Sequence, residues 1–125
     1  MTQRKPTKAK SNGLVTIKLG VGDRFALIGL LPTEAGIATI RIVEAMSKKL
    51  TPDEKEQEAI GLTPLPNGGL TWNEKKATDR NFSFSGFEVK LAVERLEKME
   101  KDQKLTKAHI GIWDKFVGET DAATD

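Results

Sequence analysis

The sequence predicts a mainly helical α+β domain, and three patterns carry that prediction. Ser85 and Glu88 bracket the start of a long apolar stripe, the mark of a capped amphipathic helix. Leu14 to Leu19 is rich in β-branched residues and partly alternates, which reads as a short strand. Pro64, Pro66 and Asn67-Gly68-Gly69, followed by Leu70-Thr71-Trp72, have the punctuation of a small hairpin or ordered loop.

In chain order, the strand at 14–19 ends at Gly20-Val21-Gly22. Asp23 is then placed to cap a short helix, with Ala26, Leu27, Leu30 and Leu31 on its apolar face and Pro32 as its stop. Thr33 is expected to open the next helix, with Glu34 at the positive end of the dipole. Ile37, Ile40, Val43, Met46 and Leu50 recur at spacings of three and four. The β-branched run Ile40 to Val43 also suits a strand, but the stripe runs on into Leu50 and favours helix.

Thr51-Pro52-Asp53-Glu54 has a capping threonine, a proline for the first helical position and a glutamate that can reach back. The helix it opens is short and polar, and belongs on the surface. After the predicted hairpin, residues 73–81 are polar, and Phe82 and Phe84 alternate with serines as in an extended stretch. The helix from Ser85 carries Val89, Ala92, Val93, Leu96 and Met99 on one side, with Phe84 stapled on Val89. Glu94–Lys98 and Glu97–Lys101 are expected as ion pairs on the wet face. Thr106 caps a last helix with Ile110, Trp113, Phe116 and Val117 inward and Gly118 as its stop, packed antiparallel to its predecessor.

A length of 125 residues suits one domain. The hydrophobic share of 38% makes the core small. The net charge of +2 is unevenly spread: Arg4, Lys5, Lys8 and Lys10 crowd one end, and Glu119, Asp121 and Asp125 the other. Residues 1–12 are thus expected to be a disordered basic tail, 13–118 a single globular domain and 119–125 a flexible acidic end. With no cysteine, disulfides and thiolate metal sites are excluded. The charged start is unlike a secretory signal, and the longest apolar run, Phe25 to Leu31, is far short of the roughly 20 residues of a membrane span. A cytoplasmic protein without a membrane partner is the expectation.

Chemistry-bearing motifs are weak. His109 is the one histidine, in a first helical turn and without a Ser or Cys arrangement that suggests a triad. Gly20-Val21-Gly22 lacks the further glycine or the Gly-Lys-Ser/Thr of phosphate loops, and Asp23 puts negative charge where a phosphate would sit. Asp53, Glu54, Glu56 and Glu58 spread around a helix and match no calcium loop. No catalytic, metal or cofactor site is therefore expected. Trp72, in a Gly/Pro-rich loop with Leu70 and Asn73, serves either to pin that loop or to anchor a partner.

Leu30-Leu31-Pro32 before an amphipathic helix, Leu50-Thr51-Pro52 before an acidic turn, Trp72-Asn73 after a glycine turn, and Leu105-Thr106 before the closing Trp113 and Phe116 form an ordered set. In that order the chain resembles small uncharacterised accessory proteins of tailed bacteriophages and prophages. The resemblance implies binding to a host or phage macromolecule and supplies no functional residues.

The expected function is accordingly non-enzymatic: binding and modulating a host or phage protein through Trp72, Asn73 and Leu70. Two other readings are nucleic-acid association through Arg4, Lys5, Lys8 and Lys10, and a self-associating virion component, since homo-oligomers can complete a modest core. If the tail binds nucleic acid, deletion of residues 1–10 abolishes that binding together with its salt dependence in an electrophoretic shift assay. Full affinity in the truncated chain would reject the tail.

Overall fold

A computed structural model describes residues 14–118. The segments expected as tails, with Arg4, Lys5, Lys8, Lys10, Glu119, Asp121 and Asp125, lie outside the described residues. The architecture is α+β and mainly helical. Strand β1 (Val15–Leu19) leads into α1 (Val21–Leu30), α2 (Ile37–Leu50) and α3 (Glu54–Ile60). The short strands β2 (Thr63–Pro64) and β3 (Leu70–Thr71) form the hairpin, then β4 (Arg80–Phe84) precedes α4 (Gly86–Lys101). A closing helical segment runs through a 3₁₀ turn (Lys107–His109), α5 (Ile110–Ile112) and a π-helical stretch (Trp113–Gly118).

β1 pairs antiparallel with β4, Val15 opposite Phe84 and Leu19 opposite Arg80. Ile17, Leu19 and Phe84 are buried while Thr16, Lys18, Asn81 and Ser83 stay exposed, so the pleat sends one face of this ribbon into the core. That core joins the sheet to α1, α2, α4 and the closing segment through Leu27, Met46, Leu50, Ala92, Leu96, Ile112 and Phe116. Phe84 and Phe116 meet edge to face at 5.5 Å. Phe116 lies near the chain's end and Phe84 just before α4, so α4 and the closing segment run antiparallel.

The capping box of α4 forms: the Glu88 amide donates to Ser85 Oγ at 3.2 Å, and the Ser85 amide to Glu88 Oε1 at 2.8 Å. Glu88 also receives Lys49 Nζ at 3.1 Å, and the same ammonium reaches the Ser83 carbonyl at 2.7 Å, tying the end of α2 to β4 and α4. Gly61 (φ 67°) ends α3 in the left-handed region, where the Leu62 amide donates back to the Gln57 carbonyl.

Several local expectations need correction. Helix α1 begins at Val21, two residues before Asp23, whose carboxylate instead reaches back to the Gly20 amide at 3.3 Å and pairs with Lys115 at 2.9 Å. Helix α2 starts at Ile37 rather than Thr33. Residues 33–36 are all exposed, so no burial offsets the cost of carrying Gly36 in helix. Asp53, and not Thr51, caps α3 by accepting from the Glu56 amide at 2.8 Å; Thr51 closes α2 through the Ser47 carbonyl. Lys98 pairs with Asp102 and not with Glu94. In the closing segment Ile112, Phe116 and Val117 are buried, whereas Ile110 is 59% exposed. Ile112 in α5 and Phe116 in the π-helical stretch, four residues apart, take the inward face, and Ile110 stands off it.

One buried charge was invisible in the apolar pattern. Arg24 is 1% exposed. Its Nε donates to the Leu50 carbonyl at 2.9 Å, its two terminal nitrogens grip Glu56 at 2.6 and 3.0 Å, and its guanidinium lies 5.0 Å above the Phe82 ring. Arg80 adds a second cation to Glu56 at 2.8 Å. The hydrogen bond from Arg24 holds the Glu56 carboxyl below its ordinary pKa, against the upward push of burial, with the charges of Arg24 and Arg80 assisting.

Glu56→Ala leaves Arg24 buried without its carboxylate and is expected to cost ~3 kcal/mol of unfolding free energy in urea. A carboxylate with a lowered folded-state pKa adds stability that is complete above its unfolded value, about 4.3, and is lost as pH falls through the folded one. The denaturation midpoint is thus expected to drop between about pH 5 and pH 3, more steeply in the natural chain than in Glu56→Ala. Equal slopes would show that Glu56 is not the group responsible.

Candidate functional site

The segment 62–73 is built as a hairpin stood on a fixed base. Thr63 faces Thr71 and Pro64 faces Leu70. At the tip the Gly68 amide donates to the Leu65 carbonyl and the Leu65 amide to the Gly69 carbonyl. Gly68 takes φ 91°, and the Asn67 side chain accepts from the Gly69 amide at 2.9 Å. This is a three-residue loop in which Pro66 presets the first corner and Gly68 supplies the left-handed residue.

The base is held twice. The Asn73 amide donates to the Ile60 carbonyl at 2.8 Å, fixing the hairpin to the end of α3. Trp72 packs its ring on Phe25 of α1, centroids 5.8 Å apart, and passes over Gly22. A β-carbon at Gly22 would stand 3.7 Å from the indole, in ordinary contact, so the absent side chain there leaves the ring a shallow seat. The indole Nε1 is buried and meets no acceptor among the described residues.

Of the residues expected to bind a partner, Trp72 is thus partly buried against the body, Leu70 is 40% exposed, and Asn73 is exposed with its Oδ1 occupied by the Lys75 amide. By the alternation of extended chain, Leu70 lies on the same side as Trp72 and carries that apolar surface outward. Leu65, 39% exposed at the tip just beyond β2, carries no signal in the sequence that sets it apart. Its flanking prolines read as punctuation, yet they also hold the leucine at the tip, out of reach of the core. The other exposed large hydrophobics in helices, Ile37, Phe87 and Ile110, stand on three separate elements.

The remaining candidates are accounted for by local structure. The His109 Nδ1 accepts from the Thr106 amide at 3.0 Å and lies 3.1 Å from Thr106 Oγ1, closing a helix cap. No carboxylate among the described residues orients its other nitrogen. At Gly20-Val21-Gly22 the depression before α1 is lined by Asp23, Glu74 and Asp79 against Lys107, a setting that repels anions. In the acidic run, Asp53 caps and Glu56 is bound by two arginines. Among the described residues no group of three or more His, Asp or Glu side chains is placed to hold a metal ion, and no helix is long and apolar enough to cross a membrane.

Trp72→Ala removes the seat of the hairpin and is expected to cost about 2–3 kcal/mol, below the ~3–5 of a fully buried tryptophan. Trp72→Phe keeps a ring on Phe25 and deletes a buried donor without an acceptor, a burden of about 1–3 kcal/mol. Its stability in thermal unfolding is expected to lie within about 1 kcal/mol of the natural chain. A Trp72→Phe loss as large as that of Trp72→Ala would mean that Nε1 has a partner. Comparisons of the chain with family models, with curated proteins and with solved structures find no match, so the reading of this site rests on its own residues.

Proposed function

We propose that the protein is a non-enzymatic, phage-type accessory protein of the host cytoplasm that binds and modulates a host or phage protein by presenting the hairpin 62–73. The observation that carries this reading is a pair of exposed leucines, Leu65 at the hairpin tip and Leu70 on β3, above a base fixed by Trp72 and Asn73. A hairpin ordered in advance loses little conformational entropy on docking, so a modest apolar contact retains more of its free energy. Leu70 supplies the contact on the face it shares with Trp72, Leu65 adds apolar surface at the tip on the other face, Asn73 supplies polar rim, and Trp72 holds the base while lending its exposed edge. Inhibition or redirection of a host machine fits such a device, because occupying a partner's surface needs no catalytic group.

The test is an affinity pull-down of the tagged chain from host lysate, with and without nuclease, set against Leu70→Asp and Leu65→Asp. One protein retained in stoichiometric amount after nuclease, and lost from either variant at unchanged melting temperature, is the expected result. Undiminished recovery by both variants would remove the hairpin as the interface. Loss of every protein band after nuclease would instead favour nucleic acid and the cations Arg4, Lys5, Lys8 and Lys10.

A further inference from the structure

We propose a second docking site, beside the hairpin and sharing only Phe25 with its base: the cleft between α1 and the C-terminal half of α4, which takes an acidic, amphipathic helical segment of a protein partner. The cleft encloses about 540 Å³. Phe25, Ala26, Leu30 and Met99 give it apolar lining, and Arg95, Lys98 and Lys104 bring positive charge to it. Lys98 is neutralised by Asp102 at 3.2 Å. Arg95 spends only its Nε, on the Leu30 carbonyl at 2.9 Å, and neither Arg95 nor Lys104 has a carboxylate partner among the described residues. The cleft thus offers two uncompensated cations beside apolar surface.

Gly29 is an independent observation at the same place. It is an exposed residue of α1 that lines the cleft. Glycine in a helix costs about 1 kcal/mol relative to alanine. Nothing in the fold requires it at this position: its φ is not left-handed, and a β-carbon built there meets no atom within 4 Å. What the missing side chain does provide is open access between α1 and α4.

The shape selects the occupant. Ten residues make α1 about 15 Å long, which matches roughly three turns of a helix laid beside it. Helices that dock in this way anchor apolar residues one turn apart, here on Phe25, Ala26 and Met99. Glutamates or aspartates flanking those anchors meet Arg95 and Lys104. At the end of the cleft, the Thr106 amide occupies His109 Nδ1, which in the neutral ring leaves the Nε2 proton available as a further donor.

The probe is a dye-labelled helical peptide roughly fifteen residues long, with leucines one turn apart and flanking glutamates, compared with its lysine-for-glutamate counterpart. Each is titrated into the full chain and followed by anisotropy and by NMR. The expected result is saturable, salt-weakened binding of the glutamate peptide that shifts Ala26, Gly29 and Met99 resonances, with the lysine peptide at least about tenfold weaker. Gly29→Leu fills the cleft and is expected to abolish binding while the melting temperature holds or rises, since leucine is the better helix former. Lys104→Glu is expected to weaken the glutamate peptide severalfold, and Leu70→Asp to leave it unchanged, which separates this site from the hairpin. Equal binding of the two peptides, or full affinity in Gly29→Leu, overturns the proposal. So does concentration-dependent self-association that Gly29→Leu removes, which would assign the cleft to a second copy of the chain.

Discussion

The Arg24–Glu56 pair organises much of this small fold. A guanidinium at 1% exposure is tolerable only where its donors are met, and the partners come from separate elements: the last carbonyl of α2, a carboxylate of α3 and the ring of Phe82 in β4. No one of these elements can satisfy it alone. The charge therefore rewards a single mutual arrangement and penalises alternatives in which α3 lies elsewhere. Helix α3 needs such a tether, since it has seven residues and only Ile60 is buried. The end of α3 in turn supplies the Ile60 carbonyl on which the hairpin rests.

Helix α1 is the support common to both surfaces. Val21, Arg24, Leu27 and Leu30 face the interior. Gly22 and Phe25 carry Trp72, while Phe25, Ala26 and Gly29 border the cleft with α4. Two polar contacts fix the ends of this framework from outside the core: Lys115 on Asp23 near the start of α1, and Lys49 on Glu88 and the Ser83 carbonyl where α2 meets α4. Phe25 belongs to both surfaces, so a change there would disturb the hairpin and the cleft together.

What could be read beforehand was whatever local chemistry decides. The Ser85–Glu88 box, the turn at Asn67-Gly68-Gly69 and the strand expected at 14–19 follow from short-range rules, and the structure has them, the strand as Val15–Leu19. The pairing of β1 with β4 is long-range and had no local sign. Arg24 gives no sign of burial in the sequence, because charge normally marks a wet face and nothing near it announces Glu56 as its partner. The starts of α1 and α2 differ from the expected ones because Asp23 and Thr33 carry capping chemistry, yet Gly20 and Gly36, with no side chain to cap with, occupy the cap positions, and Asp23 serves α1 from its third residue by accepting the Gly20 amide. In the closing segment the buried face runs through Ile112 and Phe116, offset from the stripe that begins at Ile110. At the candidate site Leu70 and Trp72 were visible as apolar residues in a turn-rich segment, but only the contact with Phe25 divides them into outward surface and fixed base.

The ribbon of β1 and β4 has a consequence for how the chain is made. About sixty residues separate Leu19 from its partner Arg80. A ribosome adding about 5–20 residues each second leaves β1 without its mate for several seconds after it emerges. Over that interval Ile17 and Leu19 have no sheet to enter, and the exposed Thr16 and Lys18 alternate with them along the strand. A lysine in a waiting strand discourages pairing with the wrong chain. The ribbon can close only once β4 too has emerged, and until then β1 depends on its own alternation of polar residues for protection.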